Sequence, residues 1–151
     1  MKNLFVAGFV VLAFSYNCFA KWGFVSLDEL TKDSDLIVVG TLQSVSEYTE
    51  NGIDYGKGNI VVEKVIFGNV KNADGFSLKP GDNLRLEWRN KSFIACPRIE
   101  HKYSENKKEI WLLTVEPDAT VRANYPGRSR SLDELREIEK LLRNTKGNTA
   151  R

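Results

Sequence analysis

The residues best suited to chemistry lie in one stretch, Cys96, Glu100, His101 and Glu105, with Arg98 and Tyr103 between them. A thiol five residues from an imidazole points to nucleophilic catalysis, in which the histidine takes the thiol proton and a carboxylate orients the ring. That chemistry needs the groups within hydrogen-bond reach, and nearness along a loop does not supply it. Cys96-Pro97 reads equally as a turn into which a thiol is packed. One Cys and one His also fall short of the three or four ligands that zinc takes. Gly52, Gly56 and Gly58 lack the spacing and the following helix of a phosphate-cradling loop. The sequence therefore nominates no catalytic residue, no metal ligand and no cofactor, and a non-enzymatic role is expected. An envelope thiol enzyme or redox protein using Cys96 is the alternative.

The compartment decides what such a thiol can do. Met1-Lys2-Asn3 is a short positive start, Leu4 to Phe14 is an unbroken apolar run, and Ala20 is a small residue suited to cleavage. Residues 1–20 are thus expected to be a secretory signal, followed by one domain over 21–144 and a polar tail over 145–151, in a secreted or periplasmic protein. The apolar run is shorter than the roughly 20 residues that span a bilayer, and no transmembrane segment is expected in the mature chain. Ser15, Tyr16 and Asn17 disfavour lipid anchoring at Cys18, since that pathway wants small residues there. Cys96 is then the mature chain's one thiol. It is buried, reactive, or joined to another molecule, a disulfide-linked dimer included.

The 151 residues are 42% hydrophobic and 28% charged with a formal charge of +2, which suits a soluble globular domain. Without residues 1–20 the remaining 131 residues carry 21 basic and 20 acidic side chains, a net charge of +1. That balance argues against a duplex-DNA protein, which needs many clustered cations. Trp88, Phe93, Tyr103, Trp111 and Tyr125, interleaved with Arg85, Arg89, Lys91, Arg98, Lys102, Lys107 and Lys108, could form a single-strand platform. Core tryptophans and solvated strand cations explain the same pattern, and export weighs against a nucleic-acid partner. An oligonucleotide- or oligosaccharide-binding role stays a further alternative.

Two pentapeptides of identical sequence, Ser26 to Leu30 and Ser131 to Leu135, each predict a helix start with a capping box. After the second, Leu132, Leu135, Ile138, Leu141 and Leu142 make one stripe of an amphipathic helix. Between the helices the period falls to two. Strands are predicted at Leu36 to Tyr48 with a bulge at Gly40, at Asn59 to Phe67, at Leu84 to Trp88, at Glu109 to Val115 and at Ala119 to Tyr125. A glycine-punctuated loop is expected over Asn51 to Gly58, and a basic linker over Tyr125 to Arg130. Asn90 to Lys108 is the longest irregular stretch, and long loops in compact domains are often functional. Asn90-Lys91-Ser92 is a glycosylation sequon in a eukaryotic host. The fold class read here is mainly β, a five-stranded OB-like barrel with a short N-terminal helix and a C-terminal amphipathic helix; a sandwich usually wants about seven strands.

Ser34 to Gly40, Asn51 to Gly56, Ile60 to Gly68, Cys96 and Ile110 to Leu113 together resemble the netrin-like domain of tissue inhibitors of metalloproteinases and of bacterial secreted proteins sharing that module. The resemblance spans Leu27 to Tyr125 and implies an OB-type barrel with flanking helices. In those inhibitors the mature chain opens on a cysteine whose amine and carbonyl chelate the target's zinc. Here the expected start is Lys21-Trp22-Gly23, so that mechanism is not carried over. What the resemblance implies is an inhibitor-like domain that binds another exported or envelope protein. The expected contact residues are Trp22 and Phe24 near the start, and Phe93, Cys96, Arg98, His101 and Tyr103 in the long loop.

Overall fold

A computed structural model describes residues 25–68, 77–90 and 102–148, with side chains to 144. Ser26 starts helix α1 (Leu27–Lys32) as expected, because its hydroxyl accepts from the Glu29 N–H while the Glu29 carboxylate accepts from the Ser26 N–H. The strands follow as β1 (Leu36–Glu50), β2 (Ile53–Phe67), β3 (Asn83–Arg89), β4 (Lys108–Val115), the short β5 (Val121–Arg122) and a two-residue β6 (Ser129–Arg130). Helix α2 (Leu135–Asn148) closes the chain.

Strands β1 to β5 form a ring-like sheet in the order β1-β2-β3-β5-β4, with β4 returning to pair with β1. All neighbours in it run antiparallel except β3 and β5, which pair in parallel through Leu86 with Val121 and Glu87 with Arg122. Period-two alternation sends Leu36, Val38, Leu42, Ile60, Val62, Leu84, Leu86, Trp88, Trp111 and Leu113 into the ring. The alternate residues Ile37, Val39, Ile110 and Leu112 face outward, where Ile138, Leu135 and Leu142 of α2 and Leu27 of α1 cover them. This double burial explains why Leu36 to Val39 and Ile110 to Leu113 are continuous apolar runs rather than alternating ones.

Several elements differ from expectation. The expected loop over Asn51 to Gly58 is instead a two-residue turn at Asn51-Gly52, both at positive φ (51° and 75°), and β2 runs from Ile53. The glycines that read as loop punctuation serve packing: a Cβ at Gly56 would collide with the Trp88 indole, and one at Gly58 would lie 2.9 Å from Leu42. A register shift does fall at Val39/Gly40, where the bulge was expected, but its extra residue is Glu63 of β2; the extra residue on β1 comes between Gln43 and Ser46, where Ser44 has φ 57°. The fifth strand is shorter than Ala119 to Tyr125, because Ala119 sits at φ 64° in the turn and Asp118 accepts from the Thr120 N–H and hydroxyl. The basic linker contains β6, which pairs with β4 through Ile110 and Trp111. At the second helix Ser131 accepts from Asp133 rather than Glu134, so a 3-10 turn (Leu132–Glu134) precedes α2, and Glu134 faces Arg130 at 3.7 Å instead of completing a box. Among the described residues no helix is long and apolar enough to cross a membrane.

Candidate functional site

Among the described residues, two polar regions stand out as places to meet a ligand. The first is the described part of the long loop, residues 102–108. Tyr103, expected as a surface contact, is buried in the ring, edge-on to Trp88 (5.3 Å, 74°) and Trp111 (5.0 Å, 69°). Its hydroxyl is placed to donate to the carbonyls of Ala123 (2.8 Å) and Tyr125 (2.9 Å). It therefore anchors the segment and cannot be its contact residue. The residues around it, Lys102 and Ser104 to Lys108, are exposed. Each side of the anchor is pinned: Lys102 pairs with Glu47 at 3.0 Å, the Glu105 carboxylate accepts from Val45 N–H at 2.8 Å, and Asn106 N–H donates to Leu42 O at 2.9 Å.

Burial pushes the Tyr103 hydroxyl well above its ordinary value of 10, Arg128 opposing and Glu109 reinforcing it. The unfolded phenol ionises first, so its protons leave the unfolded state as pH rises past 10 and stability falls until the folded hydroxyl ionises too. Tyr103→Phe is expected to cost about 1–2 kcal/mol at neutral pH by leaving buried carbonyls without their donor. The same substitution should flatten the alkaline loss, which urea midpoints measured at neutral pH and above pH 10 would reveal.

The second region is a polar groove of about 330 Å³ on the outer face of the sheet. Strand register builds it. Tyr48 of β1 lies opposite Tyr55 of β2, which lies opposite Arg89 of β3, and Asn124 beyond β5 accepts from the Arg89 backbone N–H at 3.0 Å. The two tyrosine rings stack at 5.2 Å with 16° between planes, and Lys57 Nζ lies 5.3 Å from the Tyr48 ring centre. Partial burial raises the Tyr48 hydroxyl, and the carboxylates of Glu87 and Glu50 add to it. Beneath runs a chain of alternating charge: Arg85 to Glu87 Oε1 at 2.8 Å, Glu87 Oε2 to Arg122 at 3.3 Å, and Arg122 Nε to Glu116 at 3.1 Å. Glu87 is only 7% exposed, and each of its oxygens faces a guanidinium, so charge-assisted bonds hold its carboxylate in place.

The groove escaped the sequence reading because Tyr55 fell in the expected loop. The alternation Ser46-Tyr48-Glu50 and Tyr55-Lys57-Asn59 was the available signal. Trp22, Phe24, Phe93, Cys96, Arg98 and His101 lie outside the described residues, as do residues 1–20. Trp88 and Trp111, named above as platform candidates, are in the core and present no ring to a nucleic-acid strand. Asn90 of the sequon is 3% exposed, and Lys91 and Ser92 lie outside the described residues. Among the described residues no group of three His, Cys, Asp or Glu side chains could hold a metal ion. Comparison with protein-family models gives no match, and comparison with curated proteins gives none either.

Proposed function

We propose that the ring is an OB-type barrel of the netrin-like kind and that the chain is an exported, non-enzymatic domain binding another exported or envelope protein. Support for the architecture comes from the closed order β1-β2-β3-β5-β4 with a parallel β3–β5 pair. The observation that carries the binding role is the pinned segment 102–108. The segment is held by a buried tyrosine, an ion pair, a hydrogen bond from Val45 N–H to the Glu105 carboxylate and one backbone–backbone hydrogen bond, so it loses little freedom when a partner docks. The expected contacts Phe93, Cys96, Arg98 and His101 precede this segment in sequence, and Trp22 and Phe24 are the aromatic anchors expected near the start.

The test is capture from the native compartment by immobilised protein, with partners identified by mass spectrometry. The double variant Lys102→Glu, Ser104→Arg should weaken capture about tenfold or more, while loss of the exposed Lys102–Glu47 pair, worth about 0–1 kcal/mol, should lower the melting temperature only slightly. Cys96→Ala should weaken capture only mildly, since one contact side chain is shortened and no chemistry is lost with the thiol. Capture that ignores the double variant, or an enzymatic activity abolished by Cys96→Ala, would instead favour another surface or the thiol chemistry.

A further inference from the structure

We infer that the groove between the end of β2 and helix α2 binds a free fatty acid, a small-molecule ligand separate from the protein partner proposed above. Strand geometry makes its floor. Ile37 lies opposite Phe67 and Val38 opposite Val65, which leaves Ile66 as an extra residue of β2. A bulge of this kind breaks the alternation of faces, so the successive residues Ile66 and Phe67 both pack against the outer apolar cluster that α2 covers. On α2, Glu139, Leu142 and Arg143 fall at helical spacing on one face.

Val65, Ile66, Phe67 and Leu142 line the groove, and its volume of about 380 Å³ is that of a small-ligand site. Each of the four is only partly buried, so apolar surface is left there for a ligand to cover. The groove follows β2 from Lys64 to Phe67, about 10 Å at the rise of a strand. The tail of decanoate, a zigzag of C–C bonds about 1.5 Å long, has much the same length.

Charge selects the head group. Among the described residues, the charged side chains lining the groove are Lys64, Glu139 and Arg143. Lys64 and Glu139 face each other at 3.4 Å, whereas Arg143 has no ion-pair partner among the described residues. The lining therefore carries a net positive charge, borne by a planar guanidinium that can donate two parallel hydrogen bonds to a carboxylate. A cationic or neutral amphiphile of the same length would leave that guanidinium without a counter-charge. A single-chain carboxylate satisfies both halves of the groove, its tail on the β2 floor and Leu142, its head on Arg143. A phospholipid would bring two tails to a floor one strand wide.

Titration calorimetry of the purified protein tests this with hexanoate, octanoate and decanoate below their micellar concentrations, and with decyltrimethylammonium as the cationic arm. Decanoate should bind with a Kd below about 1 mM, and each two-carbon shortening should weaken binding about fivefold. Decyltrimethylammonium should bind at least about tenfold more weakly than decanoate, and Arg143→Glu should reverse that order. Leu142→Gln should weaken decanoate about fivefold. If Leu142→Gln fails to fold, Arg143→Glu carries the test, since the Arg143 side chain is exposed and makes no ion pair among the described residues. Sedimentation with phosphatidylglycerol vesicles is the membrane arm, in which wild type and Arg143→Glu should behave alike. Absence of decanoate binding, indifference to chain length, a head-group order that Arg143→Glu does not reverse, or vesicle binding that this variant abolishes would overturn the inference.

Discussion

Trp111→Ala is expected to cost about 3–5 kcal/mol of folding stability, the range seen when a fully buried aromatic is truncated in a core that cannot collapse around the gap. Trp111 is fully buried, stands edge-on to Tyr103, and its Nε1–H donates to the Gly40 carbonyl at 3.1 Å. The truncation removes that donor and unseats the ring that Tyr103 packs against, so part of the loss should reappear as loosening of residues 102–108. Domains of this size have only about 5–15 kcal/mol to lose. Urea denaturation should show a midpoint reduced by a third or more, and hydrogen exchange should speed up at Asn106 N–H. A midpoint within error of wild type would mean that the ring does not close on Trp111.

Gly68→Ala should be of similar size, about 4 kcal/mol, because backbone strain of about 1–3 kcal/mol and overpacking of about 1–3 kcal/mol act together. Gly68 ends β2 at φ 94°, a conformation that side-chain-bearing residues rarely adopt. A Cβ there would also collide with the Asp35 carbonyl oxygen and come within 3.0 Å of Leu36 Cα. Both obstacles are backbone, so no side chain can swing aside. The segment that must move instead holds Asp35 N–H on Leu113 O and the Asp35 carboxylate on Val115 N–H, which tie β1 to β4. Gly52→Ala provides the comparison: it shares a positive φ (75°) but meets no atom within 4 Å, so it isolates the strain component, and its thermal unfolding should be the milder of the two.

Much of the fold was legible because the strands obey one strong rule. Alternation along Leu84 to Trp88 and the continuous apolar runs at Leu36 to Val39 and Ile110 to Leu113 correspond to two burial patterns, one face buried or both, and the structure uses each. The hairpin of β1 and β2 was legible only in part. Gly56-Lys57-Gly58 has the local composition of a loop, yet Gly56 is needed within the strand because the Trp88 indole, far along the chain, occupies the space where its side chain would go. Ser131 illustrates a similar limit: its pentapeptide is identical to that at Ser26, yet only Ser26 completes a capping box. Arg130 beside Glu134 gives that carboxylate another partner at the second site.

The candidate site was less legible than the core. Tyr103 reads as a contact residue because it lies in an irregular polar stretch, and its true neighbours, Trp88, Trp111 and Ala123, are contributed by three distant segments. The groove depends on Tyr48, Tyr55 and Arg89 being opposite one another, which is a matter of register across three strands.

The sequence by itself determined the two helices and the main part of strands β1 to β4, though not Ile53 to Gly58 or β6, since burial alternates along a strand and recurs along a helix whatever lies beside it. Only the tertiary structure decided which strand pairs with which, where glycine is needed for another residue's bulk, and which polar side chains meet. The reason is that periodicity belongs to one element, whereas register, close packing and charge pairing belong to two or more elements at once.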